Sequence, residues 1–311
     1  MRLATTTGDL QRLCSSHAEA VRAFEGSGFK HIDLNLYRDA LPGGLFLRDD
    51  WMDGIKEVSR AGEALGFDFV QSHAPSINTM SPGFDMDFGV KIMEHTVETC
   101  AYLGIPCTVF HTGFRPDVTY PDGRAAYYEE NFAFIRRLFP VLERTGVNLL
   151  IENTCTKNMG TQYFPITGED MKDFVQTLNH PNVHCCWDTG HANIQGIDQY
   201  HDILAMGDDL CAVHVHDNHG ITDDHIIPLT GTTDFDAILR GLIDAGFRGC
   251  FTFECDHLFN PLNSWPNYRR QLFTDGSAKL TDVTLPLLRQ AQALLYALGC
   301  HMLASYGIPV E

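Results

Sequence analysis

Positive charge is scarce in this chain of 311 residues: 22 lysines and arginines stand against 40 aspartates and glutamates, a formal charge of −18. Nucleic-acid affinity rests mainly on Lys and Arg meeting phosphates, so no nucleic-acid partner is expected. Long apolar runs are also missing. No stretch approaches the roughly 20 residues that a bilayer span needs, so no membrane partner is expected either. Residues 1–10 lack the apolar centre of an export signal. The ten cysteines contain no CxxC pair, which removes the common thiolate metal and dithiol motifs. They read instead as reduced thiols of a cytoplasmic protein. Cys107, Cys185, Cys186, Cys211 and Cys250 fall in apolar runs, where cysteine acts as a small hydrophobe. Neither GxGxxG nor a Walker A sequence occurs, so the usual nucleotide sites are not marked.

What the chain does have is a repeat. Helix-like segments end in Gly plus an apolar residue at Gly28-Phe29, Gly66-Phe67, Gly104-Ile105, Gly146-Val147 and Gly246-Phe247. The first four lie 38, 38 and 42 residues apart, the length of one helix and one strand with loops. Gly just past a helix supplies the left-handed position that closes its last turn. The segments before them carry helical apolar spacing, as in Ile55, Val58, Ala61, Leu65 and in Phe235, Ile238, Leu239, Leu242. Short apolar runs follow, suited to strands covered on both faces. Strands are expected at 3–6, 32–36, 67–72, 107–110, 147–151, 183–187, 210–215 and 250–253. Eight strands alternating with helices predict one α/β domain over residues 1–311, a single (β/α)8 TIM barrel.

The remaining signal is histidine and carboxylate, in phase with that repeat. The last six expected strands run into His73, His111, Glu152, Asp188, His214 and Glu254, spaced by 38, 41, 36, 26 and 40 residues. A lone polar residue after a strand is commonly a loop residue. Six in register are not independent accidents, because barrel strand ends form one ring at the C-terminal mouth. Two Glu, an Asp and a His make an oxygen and nitrogen donor set suited to one divalent ion per chain. Mn²⁺ and Zn²⁺ fit first, and Mg²⁺ and Co²⁺ are compatible. Asp223 and His225 are candidates either to hold a further ion or to orient the first set. His216 shares a face with His214 and, with Trp265, is a candidate for substrate contact. Asp234 is expected to cap the following helix. The connections 155–167 and 255–282 are long and follow strands, so each could form a substrate lid or an oligomer contact. A homo-oligomer is left open.

Ile151-Glu152-Asn153, Asp188-Thr189-Gly190-His191 and His214-Val215-His216-Asp217-Asn218 with Asp223-Asp224-His225 resemble the sugar phosphate isomerase/epimerase family of xylose isomerase-like barrels. The resemblance runs through Glu254. It implies metal ligation by Glu152, Asp188, His214 and Glu254, with His191 on a substrate oxygen. It implies a small-molecule sugar or sugar derivative as partner. Tagatose 3-epimerase-like members carry an Arg a few residues past the strand-seven His, where this chain has Asn218, His219 and Gly220. The related endonuclease IV family is similar over His73, His111, Glu152, Asp188, His191, His214, Asp223, His225 and Glu254, and implies a multinuclear zinc phosphodiesterase as alternative. The expected chemistry is isomerisation or epimerisation by proton abstraction beside a carbonyl, with Glu152, Glu254 and His191 catalytic. Elimination from the same enolate would make the enzyme a dehydratase or lyase. Loss of turnover would leave a catalytically silent sugar-binding barrel.

Overall fold

The computed structural model describes residues 1–259, 275–277 and 283–310. Trp265 and most of 255–282 lie outside the described residues, as does the lid or contact expected there. Eight parallel strands close in sequence order into one barrel. They are β1 (Arg2–Thr6), β2 (His31–Asn35), β3 (Asp68–His73), β4 (Cys107–Phe110), β5 (Asn148–Glu152), β6 (Val183–Asp188), β7 (Leu210–Val215) and β8 (Cys250–Phe253). Each expected strand is present within a residue or so of its expected bounds.

Helices lie between successive strands, among them Trp51–Leu65, Met86–Leu103, Gly168–Leu178 and Phe235–Asp244, and Leu285–Ser305 follows β8. Gly66 and Gly104 close two of them in the left-handed region, at φ 64° and 72°. A side chain there would meet no neighbour; it is backbone strain that favours glycine. Asp234 caps Phe235–Asp244 by accepting from Ala237 N at 2.9 Å. The connection 155–167 contains the short helix Thr156–Met159.

Strand side chains alternate between two environments. Outward residues meet the helices: Phe110 stacks on Phe134 with centroids 5.9 Å apart, and buried Trp187 donates to Gln199 Oε1 at 3.2 Å. Full burial of such a side chain contributes about 1.5–3 kcal/mol. Inward residues fill the barrel in layers. Val109, Leu150, Cys186 and Ala212 form an apolar cluster of their own within β4–β7. Two residues further along the same strands, on the same face, stand His111, Glu152, Asp188 and His214. The inward layer therefore turns from apolar to ionisable over one alternation, and this step positions the site. All ten cysteines are free thiols.

Candidate metal centre

Five of the expected residues converge at the C-terminal mouth. His214 Nδ1 lies 2.6 Å from Glu152 Oε1 and 3.3 Å from Glu254 Oε2. His111 Nε2 lies 3.0 Å from Glu152 Oε2, and His73 Nε2 is 3.6 Å from Glu152 and 3.8 Å from Glu254. All five are buried except His111, whose side chain is 35% exposed and forms the open side. Donor atoms of His73, His214 and Glu254, and of His73, His111 and Glu152, come close enough to share an ion.

A second group adjoins the first through Glu254. His191 Nε2 is 3.0 Å from Asp223 Oδ2, and His225 Nε2 is 3.3 Å from Asp223 Oδ1. His216 stacks on His225 at 3.9 Å between centroids, and its Nε2 stands 3.1 Å from both oxygens of Asp188. Asp188, expected beside Glu152 and His214, thus turns its carboxylate to His216, and the same carboxylate caps the helix Thr189–Gln195 through His191 N at 2.6 Å. Asn153 anchors this strand end by accepting from Asp188 N and donating to Asp188 O. His216, a candidate for substrate contact, is fully buried within the cluster. The Asn218 side chain donates to Gly190 O in the helix Thr189–Gln195 and accepts from Gly220 N in its own loop.

Imidazole orientation tells what the groups are built for. His73 donates Nδ1–H to Ala74 O at 2.9 Å, His191 to Asn153 O at 3.0 Å, and His225 to Glu254 O at 2.8 Å. A carbonyl can only accept, so each Nε2 is the nitrogen aimed into the cluster. Metal-ligating histidines are held this way. Among the described residues no Lys or Arg forms an ion pair with Glu152, Asp188, Asp223 or Glu254. Buried carboxylates without a fixed cation are expensive, and a divalent ion meets that demand. The residues present therefore fit a metal.

Without a bound ion, the imidazoles and carboxyls of the first group balance charge among themselves. Burial pushes Glu254 up to about 7, with the neighbouring Glu152 charge adding to the rise. Burial also works against an ionised Glu152, yet His214 and His111 outweigh it and hold this carboxyl well below the usual range. For His214 burial lowers the value, but Glu254 and Glu152 reverse it and carry the imidazole to about 10. Two carboxyls within reach of one imidazole thus lie on opposite sides of the carboxylate range.

Sequence reasoning missed Tyr37. Its ring, 41% exposed, stands edge-on to His73 and His111 at 5.4 and 6.3 Å and walls the open side. It sits just past β2, one of the two strands for which no functional end was expected.

Comparison with known proteins agrees with the barrel. The chain is 28% identical over 208 residues to the uncharacterized protein y4fM of Sinorhizobium fredii, covering 65% of this chain and 63% of that protein. It is 26% identical over 188 residues to the ketose 3-epimerase of Arthrobacter globiformis, covering 59% and 60%. The chain thus matches under two thirds of the length of either relative. The crystal structure of D-psicose 3-epimerase with D-tagatose from Clostridium cellulolyticum has a TM-score of 0.70 at 17% identity, covering 97% of this chain and 99% of that one. The family model for the xylose isomerase-like TIM barrel matches residues 21–271, and the chain belongs to that family.

Proposed function

We propose that this protein is a divalent-metal-dependent sugar isomerase or epimerase that moves a proton beside a carbonyl. The observation that carries this reading is the meeting of Glu152, Glu254 and His214 in a buried group without Lys or Arg, within a family whose curated relatives include ketose 3-epimerases. Glu152, His214 and Glu254, with Asp188 turning in from His216, would hold the ion. When bound, the ion supplies Lewis-acid polarisation of the substrate carbonyl and stabilises developing negative charge. Glu152, kept ionised, is the base that takes the proton. Glu254, whose carboxyl lies 3.3 Å from the same His214 imidazole, is the group that returns one. Return to the same carbon from the other face gives epimerisation, and return to the neighbouring carbon gives isomerisation. His191 orients a substrate oxygen, and Tyr37 walls the site beside His73 and His111.

The test is metal content together with carboxamide variants. About one Mn²⁺ or Zn²⁺ per chain is expected after gentle purification. Glu152→Gln or Glu254→Gln should lower turnover by about 10²–10⁴-fold without unfolding the barrel. An active Glu152→Gln enzyme would contradict the scheme. A second reading draws on the adjoining His191, Asp223 and His225 group, whose donor atoms also lie close enough to share an ion. Two or three Zn²⁺ per chain would favour a multinuclear phosphodiesterase.

A further inference from the structure

The metal centre does not end at its histidines and carboxylates. Directly under it lies Cys186, a thiol that the apolar run of β6 makes look like plain packing. β5 and β6 pair so that Glu152 stands beside Cys186, and β6 pairs with β7 so that Cys186 stands beside Ala212, two residues before His214. Register partners on neighbouring strands point to the same face of a sheet, about 5 Å apart. Cys186 therefore projects into the barrel between the strands that carry Glu152 and His214.

The sulfur, a carboxylate oxygen of Glu152 and a ring nitrogen of His214 all lie within 4.8 Å of one another, and all three residues are buried. Some point then lies within about 2.8 Å of all three atoms, a small adjustment from the roughly 2.0–2.3 Å of zinc–ligand bonds. Two further observations bear on this trio. Cys100 and Cys255 place their sulfurs on Ser72 Oγ and on the Val215 and Ile226 carbonyls, whereas the Cys186 sulfur has no such partner among the described residues. His214 turns Nδ1 to Glu152 and Glu254, and its Nε2 is buried without a hydrogen-bond partner.

We infer that Cys186 is a soft donor of the metal centre: together with Glu152 and His214 it ligates a thiophilic ion, Zn²⁺ or Co²⁺, and so biases the centre toward these over Mn²⁺ and Mg²⁺. On binding, the metal–sulfur bond forms as the S–H bond breaks, the proton leaves to solvent, and no oxidation state changes. A hard ion leaves the thiol protonated, packed as a small hydrophobe against Val109, Leu150 and Ala212. The inference rests on the metal-centre reading above and adds to it a ligand and a preference between ions.

Co²⁺ titration followed by absorption tests it, because a thiolate ligand adds an intense near-ultraviolet charge-transfer band that oxygen and nitrogen donors do not give. The wild type should develop the band to saturation at about one Co²⁺ per chain. Cys186→Ala should lack it, while Cys107→Ala, which removes another thiol of the same apolar cluster, should keep it. Cys186→Ala should also bind Zn²⁺ at least about 10-fold more weakly, with Mn²⁺ affinity within about twofold of wild type. Cadmium-113 NMR of the wild type provides a measurement that needs no variant. The resonance should fall where one sulfur ligand places it, and a position set by oxygen and nitrogen alone contradicts the inference. Co²⁺ bound without the band, or a band that survives in Cys186→Ala, overturns the inference and leaves the metal centre standing. A wild type that takes up none of Co²⁺, Zn²⁺ and Mn²⁺ overturns the metal-centre reading itself.

Discussion

At the residue scale, the mouth of this barrel is a set of buried acids whose company differs. Asp9, just after β1, is a clear case away from the proposed metal centre. Burial pushes its carboxyl from 3.8 to about 7, against the pull of Arg12 at 3.1 Å. A carboxyl raised on folding stabilises the fold fully below its unfolded value and loses that contribution as pH rises to the folded value. Asp9 therefore favours folding at pH 4 and loses that advantage by pH 7, a difference of at most about 4 kcal/mol. Asp9→Asn should raise the melting temperature more at pH 8 than at pH 5, read by thermal unfolding at both values. An equal shift at the two pH values would contradict this ordering. The same residue-level logic separates what was readable in the sequence from what was not. His73, His111, Glu152, Asp188, His214 and Glu254 were legible because each interrupts an apolar strand at a fixed phase of the repeat. Tyr37 was not, because β2 reads His-Ile-Asp-Leu-Asn and then Leu-Tyr. Polar and apolar residues alternate there, as in any half-buried strand, and the polar interior of this side of the barrel gives no pattern to distinguish it from a surface.

At the scale of elements, the fold was legible for a different reason. Most helix-to-strand turns here use a left-handed residue, and glycine marks it at Gly66, Gly104, Gly146 and Gly246, while Asn179 takes that position before β6. Gly66→Ala puts a Cβ into empty space at φ 64°, so its cost is conformational alone, about 1–2 kcal/mol. Chemical unfolding should show that loss with an unchanged denaturant slope. No loss would mean that the helix Trp51–Leu65 ends by some other means. Pairing across the mouth was harder to foresee. The stacking of His216 on His225 joins the end of β7 to the loop beyond it. It depends on a loop path closed by Asp217, which accepts from Thr230, Gly231 and Thr233. Spacing alone could place Asp223 and His225 near His214, but it could not say that they would gather His191 and leave Asp188 to His216.

At the scale of the whole molecule, charge and architecture point the same way. Acidic side chains dominate a formal charge of −18, and among the described residues no helix is long and apolar enough to cross a membrane. A duplex DNA with an abasic site should therefore show no retention by the metal-loaded protein at about 0.15 M salt, read by gel shift. Tight, salt-sensitive binding would favour the phosphodiesterase reading. The central claim is proton abstraction beside a sugar carbonyl at the Glu152, His214 and Glu254 centre. It is tested most directly by incubating the Mn²⁺-loaded protein with a panel of ketoses in D₂O and following deuterium at the carbons next to the carbonyl by NMR. The account predicts incorporation into at least one ketose, lost in Glu152→Gln. A metal-loaded, folded protein that leaves every ketose unlabelled would contradict it.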